Sequence, residues 1–259
     1  FPDPLLVGKI ALSAGHYALS HQLLMSVDGQ TARLQRLIYL ALLHLRTGDL
    51  RQAQAQLGQV SPEALREHFA TQIVYGHARA ELDRLEGSDP LPGLQQQLEW
   101  AREFGVSGVN LELLAWEVTL LTQPLAERLA GANALLAQLR RHNVGGYKLA
   151  KPLLEIAEVC AEAEAPQWAS AAAESTRLLR RGCTNATLYL PEGLVRCARL
   201  IRRRDAREAD ALVHVAQRWL RHALQRLPPG TEEGFTRHVV VNRLLLGGDE
   251  QAVYLHPLR

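Results

Sequence analysis

The stretch ALLHLRTGDLRQAQAQL, from Ala41 to Leu57, decides the fold. Gly48 can end a helix in the left-handed conformation, and Asp49 can cap the helix that follows. Ala53 is small and is predicted to face back, where it lets two helices approach closely. Apolar residues recur at intervals of three and four up to the glycine, which is typical of one buried helix face: Leu34, Leu37, Ile38, Ala41, Leu42 and Leu45. The pattern predicts a helical hairpin.

The same hairpin occurs 33 residues earlier in the chain. The matching positions are Gly8, Gly15, Tyr17 and Leu24 in the first copy and Ala41, Gly48, Leu50 and Leu57 in the second. This period is close to that of a tetratricopeptide repeat (TPR). Later segments repeat the pattern less strictly, with Glu164 in the place of the turn glycine and Arg204-Asp205-Ala206 in the place of Gly48-Asp49-Leu50.

The pattern predicts helices along almost the whole chain. Ser61 is the expected N-cap of a third unit that runs to Glu86, with Pro62 in its first turn. The other predicted helices cover residues 5–14, 17–27, 31–47, 50–59, 94–104, 109–121, 125–142, 147–163, 167–181, 206–227 and 231–246. No bounds are predicted for a helix between 181 and 206.

We therefore predict an all-α protein, a right-handed α-solenoid of TPR-like antiparallel helix hairpins. Leu, Ala, Arg, Gln and Glu dominate, and strand-forming residues are not concentrated anywhere, which favours helix throughout. We expect one repeat domain over residues 1–259, and GSDPLPG at Gly87 to Gly93 predicts a sub-boundary near 87–93 as the alternative.

Composition favours a cytoplasmic globular protein. Hydrophobic residues make up 47% of the chain and charged residues 22%. No apolar run approaches the roughly 18 residues of a membrane span, and no charged-then-apolar leader is present. The three cysteines, Cys160, Cys183 and Cys197, form no close pair and are expected to be reduced. The chain begins with Phe1 and has one methionine, so we expect a piece of a longer protein.

Charge is distributed unevenly. The span from Arg177 to Arg226 holds 12 arginines and 4 acidic residues, a net charge of +8, whereas the whole chain carries +2. One interpretation is an anionic partner such as nucleic acid, contacted through Arg202, Arg203 and Arg207. The other, which we favour, is a solvated helix face rich in arginine. Aromatic residues that would stack on bases are not interleaved with the Arg202 to Arg207 cluster.

The segment LPPGTEEGFTRHVVVNRLLL, Leu227 to Leu246, resembles the end of the helical array in large bacterial signal-responsive transcription regulators. The matching residues are Leu227, Pro228, Phe235, Asn242, Arg243, Leu245 and Leu246, whereas Val240 or Val241 replaces the usual proline. The regulators are the LuxR-type ATP-dependent activators and their antibiotic-regulator relatives. The resemblance implies an array that follows a nucleotide-binding module and receives an inducer or a regulatory protein.

The chain lacks several common sequence motifs of catalysis. The chain contains no GxxxxGK[ST] phosphate loop, no GxGxxG fingerprint and no HExxH motif. Glu155, Glu158 and Glu162 share one helix face, but the di-metal pattern also needs an ExxH partner, so we interpret them as a solvated or ligand-facing acidic stripe. We predict no enzyme activity, no cofactor and no metal.

The predicted function is a non-catalytic sensor or docking module that binds a protein partner or a small inducer within a transcription regulator. The alternative is a nucleic-acid-binding helical domain with a basic surface. First helices of stacked hairpins line a common groove, so the expected partner-binding residues lie on them. They are Gln35, Leu42, Arg46, Lys151, Glu158 and Arg202. Reversing the charges of Lys151 and Glu158 together is predicted to preserve the fold and abolish binding.

Overall fold

The computed structural model describes residues 3–66, 68–142, 144, 146–182 and 188–258, and every regular element in these ranges is a helix. The predicted all-α fold of helical hairpins is confirmed. The α-helices are α1 (Pro4–Ser13), α2 (Tyr17–Met25), α3 (Gln30–Thr47), α4 (Leu50–Leu57), α5 (Pro62–Arg66), α6 (Phe69–Leu85), α7 (Leu91–Glu103), α8 (Val109–Thr122), α9 (Leu125–Arg141), α10 (Gly146–Glu162), α11 (Trp168–Arg180), α12 (Leu190–Ile201), α13 (Ala206–Leu224), α14 (Val240–Leu246) and α15 (Glu250–Leu255). A π-helical turn, Gly234–His238, precedes α14.

The chain forms two compact units. Residues 1–90 and 216–259 make the first, which we call the terminal unit, and residues 91–215 make the second, the central unit. Helix α13 begins in the central unit and ends in the terminal unit. Among the helices of the described residues, none combines the length and the apolar character that a membrane crossing requires.

The turn of the α3–α4 hairpin forms as predicted. Gly48 is left-handed, with φ of 77°, and the N–H of Asp49 donates to the carbonyl of His44 at 2.9 Å. The Asp49 carboxylate then accepts from the N–H of Gln52 at 3.0 Å and caps α4. Gly15 has the same φ, and the N–H of His16 donates to the carbonyl of Ala11 in the same way. The two hairpins therefore close by one mechanism.

Small residues let the paired helices touch. Ala53 is fully buried on α4, and Gly8 on α1 lies so close to Leu24 that an added Cβ would sit 3.1 Å from its side chain. The Ser20 hydroxyl donates to the Gly8 carbonyl across the same contact, at 2.9 Å. Both hairpins thus depend on a position without a bulky side chain.

Contacts between the two ends of the chain complete the core of the terminal unit. Tyr17 is almost fully buried and packs edge-on against Trp219 and Phe235, with ring centroids 6.3 and 5.9 Å away. The N–H of Ala18 donates to the carbonyl of Arg226 at 2.7 Å. Residues more than 200 positions apart therefore share one core.

The C-terminal segment differs from its prediction. A single helix over 231–246 was expected, but the π-helical turn ends at His238, and the extended backbone of Val239 separates it from α14. Val239, whose β-branched side chain has a low preference for helix, lies at the break, and Val240 and Val241 begin α14. The buried Asn242 side chain donates to the carbonyl of Phe235 at 3.0 Å and holds the break. The final helix α15 was not predicted.

Two other differences concern helix bounds. The third unit starts as predicted, since the Ser61 hydroxyl accepts from the N–H of Ala64 at 3.1 Å, but it divides into α5 and α6. Helix α12, for which no bounds were predicted, fills much of the interval before α13.

The core of the central unit lies between α8, α9, α10 and α11 and includes Trp116, Leu135, Ile156 and Cys160. Helices α10 and α11 pair closely. Their turn uses Glu164 in the left-handed conformation, with φ of 53°, and the N–H of Ala165 donates to the carbonyl of Cys160 at 2.8 Å. The prediction that Glu164 takes the place of the turn glycine is confirmed.

Candidate functional site

The six predicted partner-binding residues are divided between the two units. Helix α3 of the terminal unit carries Gln35, Leu42 and Arg46, whereas Lys151 and Glu158 lie on α10 of the central unit and Arg202 follows α12. Lys151 and Glu158 share a face of α10, because they are seven positions apart, and Gln35, Leu42 and Arg46 share a face of α3 at spacings of seven and four.

The expected surface position of Leu42 is wrong. Its side chain is only 1% exposed, because α3 contacts α1, α2, α4 and α6 and is enclosed on more than one side. Arg46 is also buried and forms an ion pair with Glu81 of α6. Gln35 is half-buried and accepts a hydrogen bond from Lys9. In the terminal unit these predicted residues serve contacts between helices.

Lys151 links two first helices of the central unit. Its ammonium group forms ion pairs with Glu117 of α8 and, at 3.3 Å, with Glu155 one turn along α10. Glu155 also accepts from the indole N–H of Trp116 at 3.1 Å. The side chains of all three charged residues are 13% exposed or less. A cation held between two carboxylates in this way has strong electrostatic partners and little contact with water.

Glu158 makes the equivalent link to α12. Its carboxylate accepts two hydrogen bonds from the Arg196 guanidinium, at 2.8 and 2.5 Å, and Glu192 adds a longer contact at 3.4 Å. Burial by itself lowers the pKa of Arg196, but the charge and hydrogen bonds of Glu158 outweigh burial and hold that pKa above its ordinary value. Burial lowers the pKa of the neighbouring Arg199, against the attraction of Glu158.

The acidic stripe on α10 is partly solvated, since Glu155 is buried whereas the side chains of Glu158 and Glu162 are 36% and 51% exposed. Glu155 and Glu158 are paired as described, and the third member, Glu162, accepts two hydrogen bonds from Arg128 of α9 at 2.9 and 3.1 Å. Each carboxylate is held by a cation.

We use the name charged row for the side chains that join α8, α10 and α12: Glu117, Lys151, Glu155, Glu158, Glu192 and Arg196. Glu158, at 36% side-chain exposure, is the most accessible of them. The sequence predicted Lys151 and Glu158 as binding residues and placed Glu155 in the acidic stripe, but it identified neither Glu117 nor Arg196 as a partner. The ion pair between Glu117 and Lys151 could have been predicted from the sequence, because these opposite charges lie 34 positions apart, which is one repeat length.

The basic span is partly neutralised by its own acidic residues. Arg202 forms an ion pair with Asp210 at 2.9 Å, and Arg180 pairs with Glu208 at 2.7 Å. Arg203 and Arg207, the other predicted nucleic-acid contacts, are exposed. The basic charge that is free to meet phosphate is thus smaller than the composition indicated.

The cysteines and the metal-binding residue types give no reactive cluster in the described ranges. Cys160 and Cys197 are buried with free thiols, and burial raises the pKa of both thiols, so the reactive thiolate is disfavoured. Cys183 lies outside the described residues. Over the same ranges, no group of three or more His, Cys, Asp or Glu residues is arranged to hold a metal ion.

No protein family model matches the chain, and no curated protein matches it. A solved structure that is similar to it is the Signal Transduction ATPase with Numerous Domains (STAND) protein with a tetratricopeptide repeat sensor from Pyrococcus horikoshii. The sequence identity is 11% and the TM-score is 0.47, with 97% of this chain covered. The chain spans 40% of that protein's length.

Proposed function

We propose that the chain is a non-catalytic recognition module that binds a protein partner through the first helices of its central unit. The observation that carries the proposal is the charged row. It links α8, α10 and α12, which are successive first helices, and places charged groups of both signs along one face.

The physical argument starts from how repeat proteins recognise ligands. Stacked hairpins gather side chains from successive repeats onto one surface, so affinity comes from many small contacts. Ion pairs within the charged row fix its side chains in one geometry, which lowers the entropy lost when a partner binds. The partner contacts would come from half-buried residues at its edge, such as Lys148 and Arg199. Binding here requires no bond making.

Site-specific photo-crosslinking in the source cell tests this proposal. A photoreactive amino acid at Lys148 or Arg199 should give a discrete crosslinked protein, because both positions border the charged row. The matched control is Asn133, which is exposed on the second helix α9. Crosslinks to the same protein from Asn133 but not from Lys148 or Arg199 would place the binding surface elsewhere.

The finer proposal is that this module belongs to a bacterial transcription regulator and receives its signal, from a protein or from a small inducer. Support comes from the resemblance of Leu227 to Leu246 to the end of the array in such regulators. The test is the complete reading frame around this chain. A nucleotide-binding or helix-turn-helix domain beside it supports the proposal, and flanking domains of an unrelated enzyme would contradict it.

A further inference from the structure

A groove of about 570 Å³ lies on the second-helix side of the central unit, between α11 and the turn that joins α12 to α13. Its volume falls within the range of small-molecule pockets. The groove shares no residue with the charged row, so it is a separate surface of the same unit.

The floor of the groove is apolar and firmly held. Ala169 and Ala173 face it from successive turns of α11, and their small side chains leave the space open. Trp168 and Ile201 also line it, and both pack against the core of the central unit. These two half-buried side chains are therefore held in place by the core without a ligand.

The rim of the groove is rich in arginine. Four arginines line it, Arg177, Arg180, Arg181 and Arg204, against two acidic residues. Two of the four are neutralised locally, since Arg177 pairs with Glu174 at 2.5 Å and Arg180 with Glu208 at 2.7 Å.

The other two arginines leave a positive charge over the apolar floor. Neither Arg181 nor Arg204 forms an ion pair in the described part of the chain, although Arg181 also attracts the Glu174 carboxylate. The Arg204 guanidinium stacks on the Trp168 ring instead, 4.3 Å from its centroid. Stacking fixes the plane of the guanidinium and leaves its N–H edge available, which is the geometry that binds a carboxylate through two hydrogen bonds.

We propose that this groove binds a small amphiphilic carboxylate. The carboxylate pairs with Arg204 and Arg181, and an apolar body lies on Ala169, Ala173 and Ile201. Charge complementarity selects an anion, and the apolar floor favours an anion with an apolar body, because a small inorganic ion would gain nothing from covering it. This site is independent of the protein-binding surface proposed above, since a ligand can occupy it whether or not a partner docks on the charged row.

Calorimetric titration of the whole chain with decanoate tests the proposal. Decanoate should bind to one site. Changing both Arg181 and Arg204 to Gln should weaken binding by about tenfold or more, because the charge-assisted hydrogen bonds are lost. Ala173→Leu, which fills the exposed floor, should also weaken it. Arg207→Gln is the matched control, since Arg207 is exposed and does not line the groove, and its affinity should equal that of the unchanged chain.

Three ligand controls complete the experiment. Methyl decanoate has the same apolar body without the charge and should bind at least about tenfold more weakly. Acetate has the charge without the body and should give no heat. Decyl phosphate distinguishes the anionic group, and tighter binding of this ligand than of decanoate would overturn the carboxylate assignment. Equal affinity of all protein variants for decanoate would overturn the site itself, and circular dichroism confirms that each variant is folded.

Discussion

Gly48 and Gly234 meet backbone to backbone in the terminal unit. A Cβ built on Gly234 would lie 2.5 Å from the carbonyl oxygen of Thr47, and one built on Gly48 would collide with the carbonyl of Gly234. His238, at the end of the same π-helical turn, contacts the carbonyl of Gly48 at 3.2 Å. The turn of the α3–α4 hairpin thus packs directly on the π-helical turn, and neither glycine can carry a side chain without displacing backbone.

Gly234→Ala should therefore destabilise the protein, by about 2 kcal/mol or more, because the backbone must move to admit the methyl group. Urea unfolding followed by circular dichroism measures the change. Gly93→Ala is the control, since Gly93 lies in α7 with nothing within 4 Å of an added Cβ. It should be neutral or up to about 1 kcal/mol stabilising, because alanine favours helix. Equal losses from the two variants would show that the contact does not constrain Gly234.

Ala53→Trp should cost several kcal/mol, on the order of an overpacked core, because Ala53 is fully buried where α4 packs. Gln54→Trp places the same side chain on the next residue, which is exposed, and should change stability little. Thermal melting compares the two. Equal melting temperatures for the two variants would show that α4 does not pack closely against another helix at Ala53.

Glu164→Gly should stabilise the protein by about 1 kcal/mol, because glycine adopts the left-handed conformation without the Cβ conflict. The flexibility of glycine in the unfolded chain offsets part of the gain. Glu99→Gly is the same substitution at an exposed position inside α7 and should cost about 1 kcal/mol. Opposite signs in urea unfolding confirm the prediction, and a loss from both changes contradicts it.

Lys151→Met should cost about 3 kcal/mol, because Glu117 and Glu155 would then face each other without a cation. Adding Glu117→Gln should recover part of the loss. Arg203→Met, at an exposed site, is the control. If the losses of stability from Lys151→Met and Glu117→Gln were additive, Lys151 and Glu117 would not interact.

The double charge reversal of Lys151 and Glu158 was predicted to preserve the fold. Because a carboxylate at position 151 would lie beside Glu117 and Glu155, that variant should lose stability as well as binding.

Stability should rise with pH through the titration of His44. Burial lowers the pKa of His44 below its ordinary value of 6.5, with His21 acting in the same direction and Asp49 opposing both. Its Nδ1 is buried without a hydrogen-bond partner in the described residues. The unfolded chain therefore binds a proton more readily, and stability is lost as pH falls from 6.5 toward the lowered pKa.

The role of His44 is tested by measuring the free energy of unfolding of two variants across that pH interval. His44→Gln should flatten the dependence, whereas His222→Gln, at an exposed site on α13, should leave it unchanged. A slope that survives the His44 substitution would assign the dependence to another group.

Local signals were sufficient for the hairpin turns. Gly48 with Asp49, and Glu164 in the place of a glycine, could be identified because a turn depends on residues adjacent in sequence. The burial of Leu42 could not be predicted, because an apolar stripe does not show how many neighbouring helices enclose it. The partners of Lys151 and Glu158 were missed because an ion pair between repeats depends on which helices stack. The groove depends on residues from separate helices, and composition indicated only that arginine is abundant there.

The division of the chain has a consequence for biosynthesis. Residues 91–215 form one compact unit, whereas the other unit needs both residues 1–90 and residues 216–259. Tyr17 packs against Trp219 and Phe235, so this part of the core cannot close until residue 235 has been synthesised. The inserted unit is complete earlier and can fold first. During that interval the α1–α2 and α3–α4 hairpins would expose apolar surface, and they are the segments on which a chaperone would act.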